Sequence, residues 1–174
     1  FFRNDIQGKC DSLHYVMSDS TVYMRYEPIL WAEDAQMTGD SINIVVKERS
    51  IDSLLMRPNA FIIQQDSIKG FNQVKGKEIT AYFKGNEIDH LFNEGNAETI
   101  DRLRDDDTSL IGIKFSQSAT MDIIMRDKQI SKIKSYNSIK ETLYPEEQLK
   151  DNMEYLKGFF WKEDEKPKRE EFVF

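Results

Sequence analysis

The sequence predicts an all-β protein of repeated antiparallel hairpins stacked together, followed by a short C-terminal helix and an irregular tail. Three observations lead there. One short pattern occurs four times, at residues 12–17, 41–46, 78–83 and 120–125. In each copy a second apolar start stands nine positions after the first: Leu13 to Val22, Ile42 to Ile51, Ile79 to Ile88 and Met121 to Ile130. Within each copy, alternate positions separate by chemistry, as strand residues do when successive side chains point to opposite faces.

Each copy reads as a strand, a four-residue turn (18–21, 47–50, 84–87, 126–129) and a returning strand, which is a β-hairpin. A further nine positions on stand Trp31, Ala60, Ala97 and Ile139, the first three in or beside apolar stretches. The unit expected from this is a three-strand meander, spaced by 29, 37 and 42 residues, and units recurring at such intervals mark a stacked β architecture. Leu13, Tyr15 and Met17 share a face with Ile42, Ile44 and Val46, with Ile79, Ala81 and Phe83, and with Met121, Ile123 and Met125. The other face is mixed: His14, Asn43, Thr80 and Asp122 alternate with Val16, Val45, Tyr82 and Ile124. One apolar surface thus runs through all four repeats. The first repeat departs from the rest, with Arg25 at the place held by Leu54, Leu91 and Ile133, as end repeats often do.

After Asn137 the texture changes. Pro145 fits the first turn of a helix carrying Leu149, Met153 and Leu156 on one face, stopped by Gly158, and this helix is expected to cap the open end of the stack. Residues 162–171 form a charge-dense tail containing Pro167, with little regular structure and Phe159, Phe160 and Trp161 as its anchor. Residues 1–143 are read as the repeat body and 144–174 as a capping segment and tail of the same domain.

Composition narrows the function. At 174 residues the chain buries roughly 70% of its unfolded surface, enough for one domain with a core. With 39% hydrophobic and 32% charged residues it suits a sheet wetted on one side. A net charge of -7, with Lys and Arg dispersed among acids, argues against nucleic acid as a partner. Cys10 is the one cysteine, so no intramolecular disulfide forms, and it is expected to pack as a small apolar residue. No run of about 18 apolar residues occurs, which excludes a transmembrane helix. The chain opens without a charged region followed by an apolar one, so a signal peptide is expected to have been removed or to belong to a longer precursor.

Catalytic patterns are lacking: no glycine-rich phosphate loop, HExxH, G-x-S-x-G or cysteine pair. His14 and His90 read as strand residues on the mixed face. Ser131 and Lys134 match S-x-x-K, but a strand points them to opposite faces. The run Asp105-Asp106-Asp107 lacks the spacing that wraps a chain around calcium and reads as a solvated loop. Trp31 and Trp161 read as core or stack ends before sugar platforms. No enzymatic role, cofactor or metal site is assigned.

Several segments then point to a family. The apolar-x-Gly-x-x-Ile pattern of Met37-Thr38-Gly39-Asp40-Ser41-Ile42 and Val74-Lys75-Gly76-Lys77-Glu78-Ile79, the return strand Gly95-Asn96-Ala97-Glu98 and the ending Leu156-Lys157-Gly158-Phe159-Phe160-Trp161 resemble the OstA-like proteins of the Bacteroidetes type. These are relatives of the periplasmic lipopolysaccharide-transport proteins LptA and LptC and of the amino-terminal domain of LptD. The resemblance spans about Asp5 to Pro167 and lies in the order and number of soft turn and strand motifs. It implies an open, taco-like β-jellyroll whose apolar interior holds the acyl chains of lipid A. It further implies periplasmic units that join end to end or with other Lpt-type jellyrolls through strand edges. On that reading the lining candidates are Tyr15, Met17, Ile44, Val46, Ala81, Phe83, Ile123 and Met125.

Each acyl methylene removed from water contributes roughly 0.8 kcal/mol, so several chains supply ample driving force. The anionic head groups would stay in water, where repulsion from this anionic chain is screened beyond about 8 to 10 Å. Two other readings stand beside this one: a scaffold recruiting partners through exposed strand edges, and a carbohydrate-binding envelope protein using Trp31 or surface tyrosines.

Overall fold

The structure, a computed structural model, describes residues 6–168 apart from Glu33, Ser67, Asn86 and Asp107, so the acidic run lies partly outside the described residues. Among the described residues fourteen strands form one antiparallel sheet folded back on itself. The chain crosses it in long passes. The first four are β1 (Ile6–Lys9) with β2 (Ser12–Val16), β3 (Thr21–Arg25) with β4 (Ile29–Ala32), β5 (Ala35–Thr38) with β6 (Ser41–Lys47), and β7 (Ser50–Arg57) with β8 (Ala60–Gln65). Then come β9 (Phe71–Gly76) with β10 (Glu78–Lys84), the unbroken β11 (Glu87–Arg104) and β12 (Leu110–Arg126), and β13 (Gln129–Tyr136) with β14 (Lys140–Pro145).

Each pass contributes to two half-sheets that face one another. The first runs β2-β3-β6-β7-β10-β11-β12-β13, the second β1-β4-β5-β8-β9-β11-β12-β14, with β11 and β12 spanning both. The three-strand meander is therefore not the repeat unit. Trp31, Ala60 and Ala97 do lie in strands, but those strands continue the returning arm across a bend and pair in the other half-sheet. Periodicity alone cannot separate a bent strand from a reversed one, because both keep the two-residue alternation.

The bend is what repeats. In each unit the residue just before the copy donates its backbone N–H to the returning arm: Asp11 to Tyr26 O at 3.3 Å, Asp40 to Pro58 O at 2.9 Å, Lys77 to Gly95 O at 2.8 Å and Ala119 to Asn137 O at 3.0 Å. The returning arm takes left-handed backbone there, at Tyr26 and Glu27, Asn59, Gly95 and Asn96, and Asn137 and Ser138. Asparagine and glycine tolerate that region best, which explains their recurrence at these points.

At the opposite rim, Glu48 and Arg49 (φ 50° and 66°) and Asp127 and Lys128 (φ 48° and 63°) form two-residue left-handed turns that match strand twist. Just inside them the register shifts by one residue, at Val45/Val46, Tyr82/Phe83 and Ile124/Met125. The β2–β3 hairpin has no such bulge. Tyr15 therefore pairs with Val22, where the later hairpins pair Ile44 with Leu54, Ala81 with Leu91, and Ile123 with Ile133. The apolar row is unbroken, and the sequence equivalence given to Arg25 is corrected. Arg25 lies on the outer face, 2.8 Å from Asn43 Oδ1 and 5.1 Å above the Tyr23 ring.

The expected C-terminal helix is absent among the described residues. The segment holds only 3-10 turns at Glu146–Gln148, Asp151–Met153 and Glu163–Glu165, with Leu149 and Lys150 extended between the first two. Asp151 and Asn152 are poor helix formers, and a helix this short depends on packing that this segment obtains in extended form. Nor does it cap the stack: it lies as a strap across the outer face of the second half-sheet. Gly158 keeps the role of a breaker, at φ 90°.

Candidate functional site

Between the half-sheets lies a continuous apolar interior. Its main cluster takes Met24, Ile42, Ile44, Leu54, Met56, Ile79, Ala81, Leu91, Met121 and Ile123 from the first half-sheet. Against these pack Ile6, Leu30, Met37, Ala60, Ile62 and Val74 of the second. Strand alternation puts these side chains inward and sends their neighbours to solvent.

The lining candidates divide into two groups. Ile44, Ala81, Ile123 and Met125 are buried in this cluster, and Val46 and Phe83 pack half-buried against it. Tyr15 and Met17 are 52% and 82% exposed: Tyr15 lies on the edge strand β2, whose inner side no described residue covers, and Met17 stands in the turn after it. The apolar face thus runs out into solvent at the N-terminal edge, through Leu13, Tyr15 and Met17.

The rim opposite the bend is a narrow crevice. Phe83, Ile88, Met125 and Ile130 line one lip, and Ala32, Ala35, Ile62, Val74, Gln64 and Asn72 the other. Gln64 Nε2 donates to the Lys128 backbone oxygen, joining the lips.

Towards the C-terminal edge the inner face of the second half-sheet turns polar, which the hairpin pattern did not reveal. Ile100 points outward, so alternation along β11 sends Thr99 and Asp101 inward, paired with Ser116 and Lys114 of β12. Thr99 and Ser116 are fully buried, and Thr99 Oγ1 has no protein partner. Burial pushes the Asp101 carboxyl up to about 6, against the opposing pull of Lys114. The available signal was the polar alternation Thr99, Asp101 in one strand and Lys114, Ser116, Ser118 in the next, within an otherwise β-rich run.

The second half-sheet is also covered outside. Phe61, Ile63, Ile100 and Ile113 form a second cluster with Leu156 of the strap, flanked by Phe71, Phe115, Leu149, Phe159 and Trp161. Of the expected anchors, Phe159 and Trp161 pack on Phe71, with ring centroids 5.2 and 5.1 Å away. Phe160 is 40% exposed, since consecutive residues of an extended chain point apart.

The residues weighed for chemistry fall elsewhere. His14 stacks on Tyr23 at 4.9 Å, and His90 stacks on Tyr82 at 5.5 Å while contacting Asp122, all on the outer face of the first half-sheet. Lys134 approaches Asp122 Oδ2 at 3.8 Å. Cys10 packs half-buried on the main cluster, and burial raises its thiol. Trp31 is 1% exposed, so it offers no platform to a sugar, which removes that residue from the carbohydrate reading. Among the described residues no helix is long and apolar enough to cross a membrane.

The chain matches no family model and no curated protein. Among solved structures it is similar to the crystal structure of LptH from Pseudomonas aeruginosa, the LptA homologous periplasmic component of that organism's lipopolysaccharide transport device. The TM-score is 0.63, over 80% of this chain and 95% of that one, at 11% identity. That likeness is one of fold: an all-β, antiparallel, curled half-barrel of the kind the resemblance implied.

Proposed function

We propose that this chain is a non-enzymatic periplasmic module of lipopolysaccharide transport that shields lipid A acyl chains between its half-sheets. One observation carries the reading: the apolar interior is continuous, reaches a crevice at one rim and runs out uncovered at the N-terminal edge. Acyl chains would enter at the crevice as the Gln64–Lys128 contact gives way, and each methylene buried would contribute about 0.8 kcal/mol. Gln64, Asn72, Asp101 and Lys114, along the lip of the second half-sheet, stand where polar linkages of the lipid would remain. Among the described residues the edge strands β2 and β13 pair on one side only, which suits joining to another β-jellyroll by strand addition.

A second reading draws on the packing itself. Ala81, Leu91 and Ile123 are at most 1% exposed, as in a closed core, and a closed core with free strand edges is a scaffold. Photo-cross-linking separates the two. A benzophenone side chain at Phe83, facing the crevice, captures lipopolysaccharide if the interior is a groove, while the same group at Tyr82, facing outward, does not. Equal capture at both positions, or none at Phe83, contradicts the transport reading.

A further inference from the structure

The ladder of the second half-sheet is complete without the strap. Backbone bonds of the strap close its own turns, as from Met153 N to Lys150 O at 2.8 Å and Phe159 N to Leu156 O at 3.0 Å. Its hydrogen bonds to the sheet run through side chains. Gln73 donates from Nε2 to Glu154 O at 2.8 Å and accepts at Oε1 from Leu156 N at 2.9 Å. Gln36 donates from Nε2 to Phe160 O at 2.8 Å and accepts at Oε1 from Lys162 N at 2.8 Å. Lys75 Nζ adds a bond to Lys157 O at 2.7 Å.

Gln36 and Gln73 are 1% and 0% exposed, and a primary amide so buried needs partners for both its atoms. The strap's main chain supplies them. The register places them in one row across the strands, Gln36–Ile63–Gln73–Ile100–Phe115, so the strap crosses a floor on which amide clasps alternate with apolar side chains. Main-chain atoms give affinity there and side-chain pockets give selectivity, the division of labour seen when an extended peptide is recognised. The pockets take Leu156, Phe159 and Trp161, a Leu-x-x-Phe-x-Trp spacing. Charge adds direction: Arg102 Nη1 holds Glu154 Oε2 at 2.7 Å, and Lys9 Nζ holds Glu165 Oε2 at 2.9 Å. The connection to β14 through Glu146–Gln148 is exposed and holds no buried residue.

From this we infer that the outer face of the second half-sheet is a peptide-docking groove, occupied in cis by residues 149–162 and able to take the same segment from a second copy of the chain. Every contact that holds the strap is available to an identical segment arriving in trans, and exchange of identical elements is a low-cost route to association. The inference is independent of what the interior carries.

The test uses the full chain and a fluorescent peptide of residues 149–168. Leu156→Asp in the chain weakens its resident strap and leaves every groove residue intact. The peptide should bind this variant at least tenfold tighter than the parent, where the resident strap competes. Adding Gln36→Ala and Gln73→Ala to the variant should cost at least tenfold again, and a peptide of reversed sequence should not bind. Peptide affinity equal for parent and variant, or equal for forward and reversed peptides, overturns the inference. Loss of the variant's β-sheet circular dichroism also overturns it, since the sheet would then depend on the strap. On the unaltered parent, the amides of Leu156 and Lys162 should exchange with deuterium while those of β8 and β9 stay protected; exchange of all of them together would also contradict separability.

Discussion

Asp101 stands on the polar part of the inner face, and its carboxyl is pushed up to about 6 by burial. Below about pH 4 the group is protonated folded or unfolded, and it contributes nothing to pH dependence. Between about pH 4 and 6 the folded state keeps a proton that the unfolded chain has released, so stability falls as pH rises through that window. Above it the cost is fully present, up to about 3 kcal/mol at 1.36 kcal/mol per unit. Asp101→Asn should therefore raise the urea midpoint at pH 8 and leave it unchanged at about pH 3. An equal gain at both pH values would show that the charge is not what costs stability. At this scale the sequence was readable wherever a residue sat between two neighbouring strands. Ile44, Ala81 and Ile123 are inside as alternation required, whereas Tyr15 and Met17, with the same alternation, are exposed because no described residue lies over that edge. Neighbour absence leaves no mark in local sequence.

Among the elements, the hairpins were legible and the C-terminal segment was not. An apolar start, a polar turn and an apolar return nine residues later are local signals, and strands open within a residue of each expected place except at Met121, which lies inside the unbroken β12. The bulges were hidden, since one added residue changes register without changing composition. The strap looks helical in sequence, by the spacings of three and four between Leu149, Met153 and Leu156, while glutamine side chains from distant strands decide its path. The β6–β7 turn offers a direct check on turn geometry. Glu48 and Arg49 hold left-handed backbone that Asn-Gly adopts more readily, so Glu48→Asn with Arg49→Gly should stabilise the protein by about 0.5–1 kcal/mol, read as a higher urea midpoint with unchanged slope. A lower midpoint would mean that those side chains, and not the backbone, hold the turn.

For the whole molecule, the sequence carried the one-faced apolar surface but not the fold-back that turns it inward. The bends are made by single backbone hydrogen bonds and left-handed residues, which leave the alternation on either side intact. Whether the half-sheets part is a property of the assembled rims, where Gln64 meets Lys128 across a distance in sequence that no local pattern spans. A cross-link between Gln64→Cys and Lys128→Cys should close the crevice, abolish uptake of lipopolysaccharide and restore it on reduction. Uptake by the oxidised form would place entry elsewhere. Because the chain carries a net charge of -7, lipopolysaccharide affinity should rise modestly between low salt and about 0.3 M as head-group repulsion is screened. A steep fall with salt would instead reveal a cationic head-group site.

The central claim, that the interior accepts acyl chains, is tested most directly by native mass spectrometry after incubation with lipopolysaccharide. The parent is compared with a Phe83→Asp, Ile123→Asp double variant whose β-sheet circular dichroism is intact. A lipid adduct on the parent that disappears in the folded variant is the predicted result. No adduct on the parent, or one that survives in the variant, would contradict it and leave the interior as a closed core.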